Sequence, residues 1–140
     1  MKISQISIWL ENRPHCLQKV TGLLDEHQIK ILALTLAESK EYGVVRLVVD
    51  RAAEAIHLLN NHGLRADLSE VAAVEVSDEH GGLSHILRLL CENEIEIEYM
   101  YGFMEKVSDK ALIIFRFSDL DRAVEVLTAG GVKLIGSPAA

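Results

Sequence analysis

Apolar residues along this chain follow two different periods, and the alternation between those periods predicts the secondary structure. Residues 6–10 alternate between apolar and polar side chains, which is the period-2 pattern of a half-buried strand. Residues 15–27 carry apolar side chains at spacings of three and four, which predicts an amphipathic helix. The remaining elements predicted for the first half are strands at 29–38, 44–49 and 64–68, and a second helix that Gly63 ends in a left-handed cap.

The second half of the chain repeats this order of elements. At an offset of 66 residues Leu24 meets Leu90, and beyond two extra residues near Ser108 the offset becomes 68, so that Leu59 meets Leu127. The predicted strands of this half lie near 72–76, 95–104, 111–117 and 132–135, with helices from Leu83 and after Asp119. Each half is therefore βαββαβ, which is the ferredoxin-like plan of an α+β fold: an antiparallel sheet with two helices on one face. The predicted domains are residues 1–69 and 70–140.

Two strands are apolar on both faces, and this pattern predicts self-association. Residues 44–49 and 111–115 do not alternate, whereas a strand with one face in water should do so. The sheet face opposite the helices is therefore expected to be covered, and the chain has no predicted third layer to cover it. A second copy, stacked sheet on sheet, would do this, so the sequence predicts a homodimer.

Composition and charge exclude several classes of protein. The net charge is −7, and no cluster of Lys and Arg forms the basic face that nucleic-acid binders use. No apolar run approaches the roughly 20 residues that cross a bilayer, so no membrane association is predicted. The chain enters a strand pattern at once, without the layout of a signal peptide, which predicts a cytoplasmic protein.

The cysteines and histidines give little support to catalysis or metal binding. The two cysteines and six histidines include no CxxC or HExxH spacing. Cys16 has only its neighbour His15 as a candidate base, which is weak evidence for a nucleophile. We therefore predict no catalytic residue, no metal and no cofactor. A small enzyme on this fold would need a nucleophile–base pair that the sequence does not show.

The chemically informative segments are the matched loops before the first helix of each half. Each loop leads into a helix N-terminus, where unpaired backbone N–H groups and the helix dipole favour a carboxylate. Asn12 and Asp78 occupy equivalent positions, where a short polar side chain can receive an ammonium or amide group. A zwitterion fits this layout. The alternative is that both residues only shape the turn or cap the helix.

These loops resemble the strand–loop–helix motif of the ACT domain, the amino-acid-binding regulatory module of metabolic enzymes. The first loop matches the Asn, Arg, Pro and Leu of the motif, and the second matches its Asp, Gly and Leu. Because two such units cover nearly the whole chain, it resembles a free-standing tandem ACT protein. The resemblance implies two βαββαβ units side by side, paired through their second strands, with amino acids bound at the seam.

Carried over to this sequence, the resemblance implies two related sites. One joins Asn12, Arg13, Pro14, His15, Cys16 and Leu17 with Tyr99, Met100 and Tyr101. The other joins Asp78, Glu79, His80, Gly81, Gly82 and Leu83 with Leu34, Thr35 and Leu36. His15 stands where the second loop keeps Gly81, so the two sites are expected to differ in affinity or selectivity.

Two functions are compatible with this resemblance. The first is a non-catalytic amino-acid sensor that modulates a separate metabolic enzyme or regulator. The second is a structural subunit that has lost its ligand and acts through protein contacts, for which His15 in place of glycine is the best support. The aromatic residues Tyr99 and Tyr101 are either a pocket wall or interface packing.

Overall fold

The computed structural model describes residues 2–11, 16–38, 42–77, 79–106 and 110–136. These residues divide into two compact units: the first unit is Ser4–Ser69, and the second unit runs from Glu70 onward and includes Lys2 and Ile3. The elements are β1 (Ile3–Glu11), α1 (Cys16–Glu26), β2 (Ile31–Glu38), β3 (Tyr42–Val49), α2 (Ala52–Asn61), β4 (Arg65–Val76), α3 (Gly82–Glu92), β5 (Ile97–Gly102), β6 (Ala111–Phe117), α4 (Leu120–Ala129) and β7 (Leu134–Ile135).

The first unit has an antiparallel sheet with both helices on one face. Its strand order is β2-β3-β1-β4, in which residues 65–69 supply the β4 portion. Ile8 lies opposite Val45, and Leu47 lies between Ile6 and Leu34, so these side chains share a face. They pack with the buried residues of both helices, namely Val20 and Leu24 of α1 and Ala55 and Leu59 of α2.

The second unit repeats this arrangement with the strand order β5-β6-β4-β7. Phe115 lies opposite Ala72 and is fully buried, and its ring stacks on Phe117 at a centroid distance of 5.4 Å. The buried helix residues are Ile86 and Leu90 of α3 and Ala123 and Leu127 of α4. They are the sequence equivalents of the four buried helix residues in the first unit. The predicted ferredoxin-like α+β fold of two βαββαβ units is therefore confirmed.

The helices α1, α2, α3 and α4 end in the same way. At the end of α2, the Leu64 N–H donates to Leu59 O and the Gly63 N–H donates to Asn60 O, with Gly63 at φ 78°. This pair of hydrogen bonds is a Schellman motif, and it confirms the predicted left-handed cap at Gly63. Gly131 takes the same place after α4, whereas Gln28 and Glu94 adopt positive φ after α1 and α3.

Two predicted boundaries are corrected by the structure. The strand predicted at 64–68 and the strand predicted near 72–76 form one continuous strand, β4, because no Gly or Pro interrupts the chain from Leu64 to His80. β5 begins at Ile97 rather than at residue 95, because the Ile95 N–H closes the cap of α3 by donating to Leu90 O.

The face opposite the helices carries both buried and exposed apolar side chains. Val48, Leu112 and Ile114 point to this face and are at most 4% exposed in the single chain. The predicted homodimer stays a prediction. Trp9 and Tyr42 lie on the same face of the first unit and keep 49% and 52% of their surface exposed.

Candidate functional site

The first matched loop is only partly described. Asn12, Arg13, Pro14 and His15 lie outside the described residues. Cys16 and Leu17 begin α1, and both are partly buried against the core of the first unit. The Cys16 side chain therefore packs against the core at the start of α1.

The second matched loop is a tight connection from β4 into α3; Asp78 lies outside the described residues. The Gly82 N–H donates to Glu79 O at 3.1 Å, and the Glu79 N–H donates to Ser77 Oγ at 3.2 Å. Gly81 has a backbone φ of 89°, a value that residues other than glycine rarely adopt. Glu79 and His80 are exposed at the surface, and Leu83 packs against the core of the second unit.

Both second strands lie at the end of the strand order of their own unit, and their side chains alternate between the two faces. In β5, Met100 lies opposite Phe115 on the helix side, whereas Tyr99 and Tyr101 point to the other face with ring centroids 6.4 Å apart. A ligand on one face of β5 can therefore contact the side chains of the two tyrosines or that of Met100.

The equivalent strand β2 shows the same alternation. Leu34 lies opposite Leu47 and is partly buried on the helix side, while Leu36, two residues on, is 46% exposed. Thr35 points to the other face, opposite Arg46. The pairing of each loop with the second strand of the other unit stays a prediction.

A cleft lies entirely within the second unit and was not predicted from the sequence. Its volume is about 320 Å³. The lining residues come from the end of β4, the first turn of α3, the start of β6 and the turn before β7: Glu75, Ser77, Gly82, His85, Ile86, Lys110, Gly131, Val132 and Lys133. Gly82 is the residue that this cleft shares with the predicted loop site.

Charged groups of both signs meet at this cleft. The Glu75 side chain is 13% exposed; its Oε1 lies 3.9 Å from Lys110 Nζ and its Oε2 lies 3.9 Å from Lys133 Nζ. Both distances exceed the 2.7–3.2 Å typical of an N–H···O hydrogen bond. The two ammonium groups therefore attract the carboxylate at ion-pair distance without being hydrogen-bonded to it.

The first unit has different chemistry at the same positions. The strand registers place Trp9 and Tyr42 where the second unit has Glu75 and Lys110, and the repeat offset of 68 aligns Arg65 with Lys133. Two aromatic side chains thus replace a carboxylate and an ammonium group. The repeat offset carries the signal that would have revealed this cleft, because it aligns the charged residues of one half with the aromatic residues of the other.

Other kinds of site find little support in the described part of the chain. No group of three or more His, Cys, Asp or Glu side chains there could hold a metal ion. No helix in the described ranges is long and apolar enough to cross a membrane.

The fold and the loops define a class of protein, the tandem ferredoxin-like modules. Residues 1–137 match the family model described as an ACT domain pair. The chain belongs to this family, and the resemblance seen in the sequence is confirmed. No curated protein matches the sequence significantly.

Solved structures show the same fold. Protein BT0572 from Bacteroides thetaiotaomicron is 29% identical, with a TM-score of 0.91, and the match covers 99% of this chain and 95% of that one. The ligand-free regulatory subunit of aspartate kinase from Thermus thermophilus is 16% identical, with a TM-score of 0.63 and coverage of 91% of both chains. The corresponding subunit from Thermus flavus is 14% identical, with a TM-score of 0.58 and coverage of 91% and 92%.

Proposed function

We propose that this protein is a non-catalytic regulatory protein that binds an amino acid and modulates a separate metabolic enzyme or regulator. The observation that carries the proposal is the match of residues 1–137 to the ACT domain pair family. The likeness in fold to regulatory subunits of aspartate kinase supports a regulatory role. The sequence predicts that the ligand binds at the matched loops before α1 and α3.

The proposed ligand sites are the two that the sequence resemblance implies. Each would use one of the matched loops together with the second strand of the other repeat. Tyr101 is the residue of choice for testing them, because its ring is partly buried and stacks near Tyr99. The energetic requirement is modest, since a coupling of about 1–3 kcal/mol changes the affinity of a partner roughly 5–150-fold.

Thermal unfolding with each of the twenty amino acids tests the proposal. A ligand present at about 100 times its dissociation constant stabilises the folded state by about 2.7 kcal/mol. At least one amino acid is therefore expected to raise the Tm by several degrees. Tyr101→Ala should reduce that shift, and Tyr42→Ala, at an exposed tyrosine of the first unit, should preserve it. Equal shifts in both variants would remove Tyr101 from the site.

We also propose that the chain forms a homodimer in the cytoplasm. The exposed apolar residues on the described surface, among them Trp9 and Leu68 at 49% and 50%, are the structural support for association. Sedimentation equilibrium should give twice the chain mass of 15.5 kDa. A clean monomer at micromolar concentration would contradict the dimer but leave ligand binding open.

A further inference from the structure

The first unit carries an exposed aromatic patch on the sheet face that lies opposite its helices. Ile8 is buried on the helix side, so Trp9, the next residue of β1, points to the opposite face. The register of β1 with β3 places Val44 beside Trp9, and Tyr42 lies two residues further along β3 on the same face. Trp9 and Tyr42 keep about half of their surface exposed. We call Trp9, Tyr42 and Val44 the aromatic patch.

The second unit has no such patch at the equivalent positions. Glu75 and Lys110 stand there in place of Trp9 and Tyr42, and their charged groups attract each other at 3.9 Å. A pair of charged side chains favours contact with water, whereas a pair of exposed aromatic side chains favours contact with another protein surface. The aromatic patch is therefore an interaction surface that belongs to the first unit alone.

Two opposite charges flank the aromatic patch on the same face. Glu11 lies beside Tyr42 at one end, and Arg46 follows Val44 along β3 at the other end. Beyond Arg46, the next residue of β3 on this face is Val48, which is buried, so the open part of the face ends at Arg46. The face thus runs from an acidic end through an apolar centre to a basic end.

This order of charges makes the face complementary to itself. When two copies stack face to face with their strands in opposite directions, Glu11 of each copy lies over Arg46 of the other. When the strands run in the same direction, like charges meet instead. A two-fold symmetric interface uses the same surface of both subunits, so it requires a surface with this property. The charges therefore favour a second copy as the occupant, and they select the antiparallel orientation.

The charge of the whole chain also favours contact through the first unit. Residues 1–70 carry 8 basic and 9 acidic side chains, whereas residues 71–140 carry 6 and 12. Two nearly neutral first units therefore repel each other less than two acidic second units would.

We propose that the first unit forms a two-fold dimer interface, in which the aromatic patch of one copy stacks on the aromatic patch of the other with the strands of the two sheets running in opposite directions. Sheets that pack face to face lie about 10 Å apart, a space that large side chains such as Trp9 and Tyr42 fill. This inference rests on the homodimer proposed above and gives that dimer a surface and a symmetry.

The fluorescence of Trp9 tests the surface directly, because it is the only tryptophan in the chain. The emission should move to longer wavelength when the dimer is diluted, since dissociation exposes the indole ring to water. Sedimentation equilibrium on the same dilution series measures the mass. The change in emission should follow the fall in mass towards that of one chain.

Trp9→Ala is expected to weaken the dimer by about tenfold or more, because a tryptophan at the centre of an interface is commonly a hot spot of binding. Lys110→Ala is the matched control, since Lys110 occupies the position of the second unit that is equivalent to Tyr42. This variant should leave the dissociation constant of the dimer unchanged. Circular dichroism checks that both variants keep the fold.

Exchanging the two flanking charges tests the orientation. Glu11→Arg and Arg46→Glu should each weaken the dimer by about threefold to tenfold, because each change places like charges opposite one another. The double variant should restore the dimer, since it reverses both ends of the face together. A double variant that dimerises no better than the single variants would contradict the antiparallel orientation.

The remaining outcomes separate this inference from the proposed function. A mass that falls on dilution with unchanged Trp9 emission would place the dimer interface elsewhere and overturn the aromatic patch, while the homodimer would stand. A monomer at every concentration would overturn both the patch and the homodimer. In either case the thermal screen with amino acids still decides the proposed ligand binding.

Discussion

Replacing Leu59 by alanine is expected to destabilise the protein by about 2–5 kcal/mol, because the change removes a buried side chain and leaves a cavity. Leu59 lies on the buried face of α2 and is fully buried in the core of the first unit. Its equivalent in the second unit, Leu127, is also fully buried, and Leu127→Ala should cost a similar amount. Urea denaturation followed by circular dichroism measures both changes.

Leu68 is the matched control for this prediction. It belongs to the same unit and has the same side chain, but it is 50% exposed. Leu68→Ala should change the free energy of unfolding by no more than about 0.5 kcal/mol. If Leu59→Ala and Leu68→Ala cost the same free energy of unfolding, the assignment of the core would be wrong.

Leu59→Ala should also show whether the two units unfold together, because a unit of this size is only marginally stable alone.

Gly82→Ala is expected to destabilise the protein by about 1–3 kcal/mol and to disturb the cleft of the second unit. A Cβ atom at Gly82 would lie 2.5 Å from the backbone oxygen of Ser77, so the connection between β4 and α3 would have to move. Gly82 also lines the cleft, and the movement should therefore change the shape of the cleft. Chemical denaturation measures the loss of stability, and the backbone amide chemical shifts of Ser77 and His85 report the change in the cleft.

Gly22→Ala is the control that separates local crowding from the general effect of replacing glycine. Gly22 lies within α1, and the nearest atom to an added Cβ is Gln18 Nε2 at 3.7 Å, which is an ordinary contact. Alanine should therefore stabilise α1 by about 0.5–1 kcal/mol through its higher helix propensity. A stabilising Gly82→Ala would contradict the close approach of the loop to Ser77.

The repeat made the cores of both units predictable from the sequence. Leu24 and Leu90, and likewise Leu59 and Leu127, were aligned by their offset, and all four are buried. Helix cores can be predicted in this way because apolar spacing reports burial directly. The continuity of β4 was not predicted, since residues 65–70 carry several polar side chains that resemble a linker.

The cleft could not be predicted from local patterns, because its charged residues are far apart in sequence. Glu75, Lys110 and Lys133 come together only through the pairing of β4 with β6 and β7. Single charged residues on strands usually indicate a face in contact with water. The loops were identified because their motif is local, but the sequence cannot locate their ligand without knowledge of the opposing strand.

The proposed function depends on amino-acid binding by this member of the ACT domain pair family. Isothermal titration calorimetry of the full chain with each of the twenty amino acids tests it most directly. We expect saturable binding of at least one amino acid, with the affinity reduced by Tyr101→Ala if the ligand occupies the predicted loop and second-strand site. Twenty titrations without binding would contradict the claim and favour a structural subunit that acts through protein contacts alone.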